Sequence, residues 1–151
     1  MTDHSISATL GGMTRKTFLI AVSAIASAVG AVALFAPAFL LESKGVAPSA
    51  ATNVWVREVG VAIIAFGVMA FLMRGLADSP GLRALLIGNM VLQIGLLPIE
   101  IVAYSQGVIT KVSGIVPNEI LHLVLACAFG FFASRIHIAE GERRGSSPRI
   151  Q

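Results

Sequence analysis

Four long runs of apolar residues, at about 17–41, 54–73, 84–104 and 116–134, are separated by short stretches that hold most of the charges, prolines and turn residues. Each run is close to the roughly 20 residues with which a helix crosses the hydrocarbon core of a bilayer. The first and third connections are about 12 residues long and the second is shorter, so successive helices return alongside one another. The pattern predicts an all-α integral membrane four-helix bundle in up-down-up-down order, spanning residues 15–138. Residues 1–14 and 139–151 have too little apolar surface to order themselves and are expected to be flexible tails.

Composition sharpens the class without changing it. The chain is 56% hydrophobic and only 13% charged, with mean hydropathy +0.84, far from the quarter-charged mix of a soluble domain. Four spans take up most of the 151 residues, so one compact membrane domain without a soluble catalytic domain is expected. Lysine and arginine resist translocation, so their distribution sets orientation. Arg15, Lys16, Arg74, Arg83, Arg135, Arg143, Arg144 and Arg149 would lie on one side and Lys44, Arg57 and Lys111 on the other. Both termini are therefore expected in the cytoplasm, in a bacterial-type plasma (inner) membrane. The high isoelectric point follows from this asymmetry and gives no argument for a nucleic-acid partner. Ala36-Pro37-Ala38 loosely resembles a signal-peptide cleavage site, but the apolar run before it is too long for such a peptide and Pro37 is unfavourable beside it. Retention is expected, with Pro37 bending the outer end of the first span.

The second span carries Gly60 and Gly67, the third Gly88 and Gly95, and the first Ser23, Ser27 and Ala31 with Ala24 and Ala28 alongside. In lipid, close helix contact depends on small residues of this kind. The same faces would serve a homo-oligomer or another membrane protein partner. Cys127 is the lone cysteine, which excludes an internal disulfide or a two-cysteine redox relay, and mid-helix it reads as a small core residue. Two-histidine haem ligation finds no support, because His122 and His137 lie at opposite ends of the fourth segment and His4 is in the tail.

Candidate chemistry centres on Glu100, the single charged residue between Arg83 and Lys111. A carboxylate at membrane depth must be protonated, paired or turned to a polar cavity. Asn89, Gln93, Glu100 and Tyr104 fall within an arc of roughly 60° on one helix face. Glu100 lies about 9 Å below Gln106 at 1.5 Å per residue, level with Arg57 and Glu58 early in the second span and with Asn118, Glu119 and His122 early in the fourth. Trp55 and Tyr104 bracket that level as interfacial aromatics do. Pro98 frees a carbonyl just below Glu100 and bends the helix there, while Pro117-Asn118-Glu119 reads as a helix start.

Three readings fit this outer-leaflet cluster. In the first, Arg57 pairs with Glu100 or Glu58 and the other polar groups cap helix ends. In the second, Arg57, Glu58, Asn89, Gln93, Glu100, Tyr104, Glu119 and His122 line a ligand-binding or proton-handling site for an apolar small molecule with one polar group, such as a lipid or a quinone. In the third, Glu119-x-x-His122 is half of a di-metal carboxylate motif, but a second such motif is missing and no metal is expected.

Arg57-x-x-Gly60 opening the second span, Ala65-Phe66-Gly67 within it, Arg74 closing it, Ala103-Tyr104 late in the third and Glu119-x-x-His122 opening the fourth together make the region of about 55–133 resemble small bacterial four-span membrane proteins of the DoxX-like type. The resemblance implies a four-helix bundle. Some relatives are linked to quinone-dependent oxidoreductases and others to assembly or chaperone roles, with no agreed catalytic residues. The expectation is a membrane binding or accessory subunit without catalysis or a cofactor of its own. The alternative is a small oxidoreductase component that binds quinone through Arg57, Glu100 and His122.

Overall fold

The computed structural model describes residues 9–10 and 12–138, and is helical apart from one short strand pair. The outer parts of the two expected tails, 1–8 and 139–151 with His4 and the Arg143, Arg144 and Arg149 cluster, lie outside the described residues. Strands β1 (Thr9–Leu10) and β2 (Met13–Thr14) pair antiparallel, with Thr9 opposite Thr14. The helices are α1 (Arg15–Phe35), α2 (Pro37–Ser43), α3 (Ala50–Met73), α4 (Pro80–Ser105) and α5 (Val112–Ser134). Four of them are long and apolar enough to cross a membrane. At 1.5 Å per residue, even the 21-residue α1 reaches about 30 Å, the thickness of the hydrocarbon core.

The helix starts are written in the local sequence. Thr14, Ser49 and Ser79 each accept a hydrogen bond from the amide three residues on, at 3.2, 3.1 and 3.2 Å. Ser49 and Thr52 complete a reciprocal capping box, and Pro80 and Pro37 occupy first-turn positions where a missing amide costs nothing. The expected bend at Pro37 is a break: α1 ends at Phe35, and Ala36 leaves helical geometry at φ −132° and ψ 52°. Pro117 does not start its helix. The helix α5 begins five residues earlier at Val112 and carries Pro117 in its second turn, as α4 carries Pro98.

Packing divides the molecule into two helix pairs, α1 with α3 and α4 with α5. The first seam is drawn tight by small residues. A side chain at Gly30 would stand 2.8 Å from the Gly60 carbonyl, and one at Gly67 would stand 3.2 Å from the Ser23 carbonyl. The second seam sets Met90 against Gly130. Gly88 and Gly95, expected at a close contact, have nothing within 4 Å of where a Cβ would be, so they face outward. Cys127 is likewise exposed and not in the core. These corrections share a cause: with lipid outside and protein inside both apolar, composition does not say which way a helix is rotated.

At one end the pairs meet through a buried core of Phe18, Leu19, Leu82, Leu86, Phe129 and Phe132. Phe18 stacks on Phe132 and meets Phe129 edge-on, with centroids 4.9 and 5.0 Å apart. Below this core Asp78, in the α3–α4 connection, ties three segments together. It pairs with Arg15, accepts from the His137 amide at 2.9 Å, and Arg15 also donates to the Leu76 carbonyl at 3.0 Å. Partial burial would raise the Asp78 pKa, but the His137 amide and the Arg15 guanidinium outweigh it and hold the carboxyl below its usual value.

Candidate functional site

The other end is built around the turn after α2. Gly45 adopts φ +75°, a conformation that favours glycine, and its hydrogen side lies against Thr110 and Lys111, leaving no room for a side chain. The Lys44 carbonyl accepts from the amides of Thr110 and Lys111 at 3.1 and 3.2 Å, and the Thr110 hydroxyl donates to the Gly45 carbonyl at 2.9 Å. Lys111 donates to the Glu42 carbonyl at 2.8 Å. Gly114 of α5 packs directly on the backbone of Ser43 and Lys44. These contacts clamp the turn against the start of α5, and the clamp aims Lys44 inward.

Lys44 pairs with Glu100 of α4, their side chains being 20% and 14% exposed. The same carboxylate oxygen, Oε1, accepts from Asn118 Nδ2 of α5 at 2.8 Å. Asn118 Nδ2 also lies 3.0 Å from His122 Nε2, and His122 Nδ1 meets Gln93 Oε1 of α4. With Asn118 Nδ2 facing both of its partners, one assignment of donors and acceptors fills the whole chain. An amide NH2 offers two hydrogens, so Asn118 donates one to Glu100 and one to His122 Nε2. His122 is then neutral with its proton on Nδ1, which donates to Gln93. Protonating Nε2 would set two donors face to face, so it requires the Asn118 amide to turn and withdraw its donor from Glu100.

Glu119 follows Asn118 directly on α5. Glu100 Oε2 and Glu119 Oε1 are both buried with no hydrogen-bond partner among the described residues. An ionised carboxylate oxygen only accepts, and a buried acceptor left alone costs about 1–3 kcal/mol or more when charged. Lys44 Nζ makes one bond with three N–H groups, so the cluster holds spare donors as well as spare acceptors.

The eight residues expected at the site separate into two groups. Gln93, Glu100 and His122 form one hydrogen-bonded chain, and Glu119 follows its member Asn118 in sequence. Asn89 is buried below them and donates to the Leu85 carbonyl of its own helix at 3.0 Å. Arg57 and Glu58 are exposed on α3, and the expected Arg57 pair with Glu100 or Glu58 is corrected: neither ion pair among the described residues involves Arg57. The physical reason is that α3 packs on α1 and leaves this stretch of its surface turned away from α4. Tyr104 is 42% exposed and Trp55 68%, positions suited to a membrane interface and not to a bonded cluster.

Two members of the chain stand outside that group of eight. From the sequence Lys44 reads as an outer-side charge, and Asn118 as a helix cap. Asn118 had a usable signal, being four residues before His122 and therefore on the same helical face. Lys44 had none, since a loop residue has no periodicity. Among the described residues no three of His, Cys, Asp and Glu gather as a metal-holding group, so Glu119-x-x-His122 recruits no third ligand there. A shallow groove of about 440 Å³, lined by Pro98, Ile99, Val102, Ala103 and Gln106, lies near the same end of α4. Its residues Ile99 and Val102 are exposed, so it opens outward. The chain matches no family model, no curated protein and no solved structure.

Proposed function

We propose that this is a multi-pass protein of a bacterial-type plasma membrane that binds an apolar molecule by its polar head at the Glu100 cluster, as a binding or accessory subunit of the kind its DoxX-like motifs suggest. Alternating helix order is supported by the contacts: Gly30 meets Gly60 while Ser23 meets Gly67, and Glu100 meets Asn118 while Gln93 meets His122. Each pair thus joins late residues of one helix to early residues of the other. Cytoplasmic termini are supported by the eight-to-three bias in basic residues, which places the Asp78 end inside and the Glu100 end outside.

The observation that carries the binding reading is the chain from Lys44 through Glu100, Asn118 and His122 to Gln93, with two buried carboxylate oxygens to spare. Convergent polar groups in an otherwise apolar setting are the usual form of a small-molecule site. A purely structural latch needs only the Lys44–Glu100 pair. His122 and Gln93 lie deeper and satisfy only each other and Asn118, so they add orientation and no link between the helix pairs. The test is extraction of the purified protein and of Glu100→Gln and His122→Ala variants, followed by mass spectrometry of bound small molecules. The expected result is one co-purifying amphiphile per chain in the wild type, lost from both variants while membrane insertion holds. Wild type and variants carrying the same bound molecules would refute the reading.

A further inference from the structure

We infer that two copies of this chain pair along α3, through reciprocal ion pairs between Arg57 of one copy and Glu58 of the other. Both residues are exposed, and the two ion pairs among the described residues involve neither. Their depth makes that exposure costly. The 24 residues of α3 follow the cap Ser49; at about 1.5 Å per residue the helix is about 36 Å long, so a hydrocarbon core of about 30 Å begins roughly 3 Å inside its start. Arg57 and Glu58 then lie roughly 8 and 9 Å below the hydrocarbon edge. The long Arg57 stem can reach back toward water, since side chains lean toward the helix N-terminus, but Glu58 is too short to follow. A carboxylate turned to lipid at that depth has to be covered and paired. As neighbours in sequence the two point about 100° apart and do not meet each other.

Geometry selects a second copy as the partner. Basic residues fix the orientation in which the chain inserts, so two α3 helices related by a two-fold axis along the membrane normal run parallel, with equal residues at equal depth. Arg57 and Glu58 stand on either side of the line midway between them. A two-fold axis facing that line sets Arg57 of each copy against Glu58 of the other, offset in depth by one residue, about 1.5 Å. Val54, Val61 and Val68 occupy the same line, seven residues apart and all within about 30° of it. All three are exposed, as is Leu72 farther along. Seven-residue spacing of β-branched residues is the seam of a parallel two-stranded coil, and charges on its flanks fix the pairing. Gly60 and Gly67, which face α1, lie about 110–130° round the helix from the valines. The two seams therefore do not compete. A lipid head group at the membrane surface could meet Arg57, but it would leave the deeper Glu58 unpaired and the valines unused.

Full-length protein carrying a donor or acceptor dye on a carboxyl-terminal tag is reconstituted in phosphatidylcholine liposomes, and energy transfer is followed as the protein is diluted into lipid. The wild type is expected to dimerise reversibly. Arg57→Glu and Glu58→Arg set like charges opposite each other and should each weaken the dimer by about tenfold or more. Mixed in equal amounts, the two variants restore both ion pairs, so the mixture should recover wild-type affinity as a heterodimer. Disulfide trapping in native membranes tests the face without altering the charges. With the single cysteine removed as Cys127→Ser, Val54→Cys and Val61→Cys should link into dimers on oxidation. Val59→Cys, similarly exposed but on the other side of the helix, should not. This arm decides the matter if a charge variant fails to insert. A wild type that stays monomeric overturns the inference, whether or not Arg57 then retains added phosphatidylglycerol. So does a mixture no stronger than its two components, and so do dimers indifferent to both charge variants. Cross-linking at Val59 equal to that at Val54 and Val61, or linkage of these valine positions to a different protein in place of a second copy, overturns it as well.

Discussion

Replacing Gly60 with alanine should open the close seam between α1 and α3. A Cβ there would lie 2.8 Å from both the Gly30 carbonyl oxygen and the Leu34 amide nitrogen, and 3.1 Å from the Ala33 Cβ. Two of these atoms are backbone, so no side chain can swing aside and the helices themselves must part. The separation needed is about 0.6 Å, the difference between 2.8 Å and the 3.4 Å at which ordinary contact begins. A gap of that size forfeits roughly a quarter to a half of each van der Waals well, and a seam with about 50 atom pairs at about 0.15 kcal/mol each then loses about 2 kcal/mol. That agrees with the roughly 1–3 kcal/mol typical of overpacking. In lipid the loss is not softened by water, because packing is itself a driving force for helix association. Gly88→Ala is the matched control, since a Cβ there meets nothing within 4 Å, and alanine is the better helix former by up to about 1 kcal/mol. Unfolding in mixed dodecylmaltoside and dodecyl sulfate micelles, followed by circular dichroism, measures both variants. A Gly60→Ala protein as stable as the wild type would refute the packing argument, as would a Gly88→Ala protein that loses as much.

The Lys44–Glu100 pair is largely shielded, so removing one partner should cost more than removing both: Lys44→Met is expected to lose about 2–3 kcal/mol, and adding Glu100→Gln to restore at least half of it, as measured by a double-mutant cycle in the same micelles. At the opposite end the Asp78 carboxyl is held below its usual pKa in the folded protein, so its contribution is present above the unfolded value near 3.9 and is lost as pH falls through the lower folded value. Melting temperature should therefore fall on acidification below about pH 4, and Asp78→Asn should flatten that part of the profile; an unchanged slope would show that Asp78 does not tie the ends together.

What the sequence determined by itself is what a helix determines about itself. Length and apolarity set four spans. Thr14, Ser49 and Ser79 mark where helices begin, and four- and seven-residue spacing puts Asn89, Gln93 and Glu100 on one face. Only the tertiary structure decided what that face meets. Periodicity gives the angle between residues of one helix, but not the rotation of that helix against its neighbours. In a soluble bundle an apolar stripe would supply the rotation, whereas in a membrane both sides are apolar and the stripe disappears. For that reason Gly60 and Gly67 turned inward while Gly88 and Gly95, spaced identically, turned out. For the same reason Glu100 found its cation in Lys44 and not in Arg57. Arg57 sits on a helix packed elsewhere, and Lys44 reaches Glu100 because Gly45, Thr110 and Gly114 clamp its turn against α5.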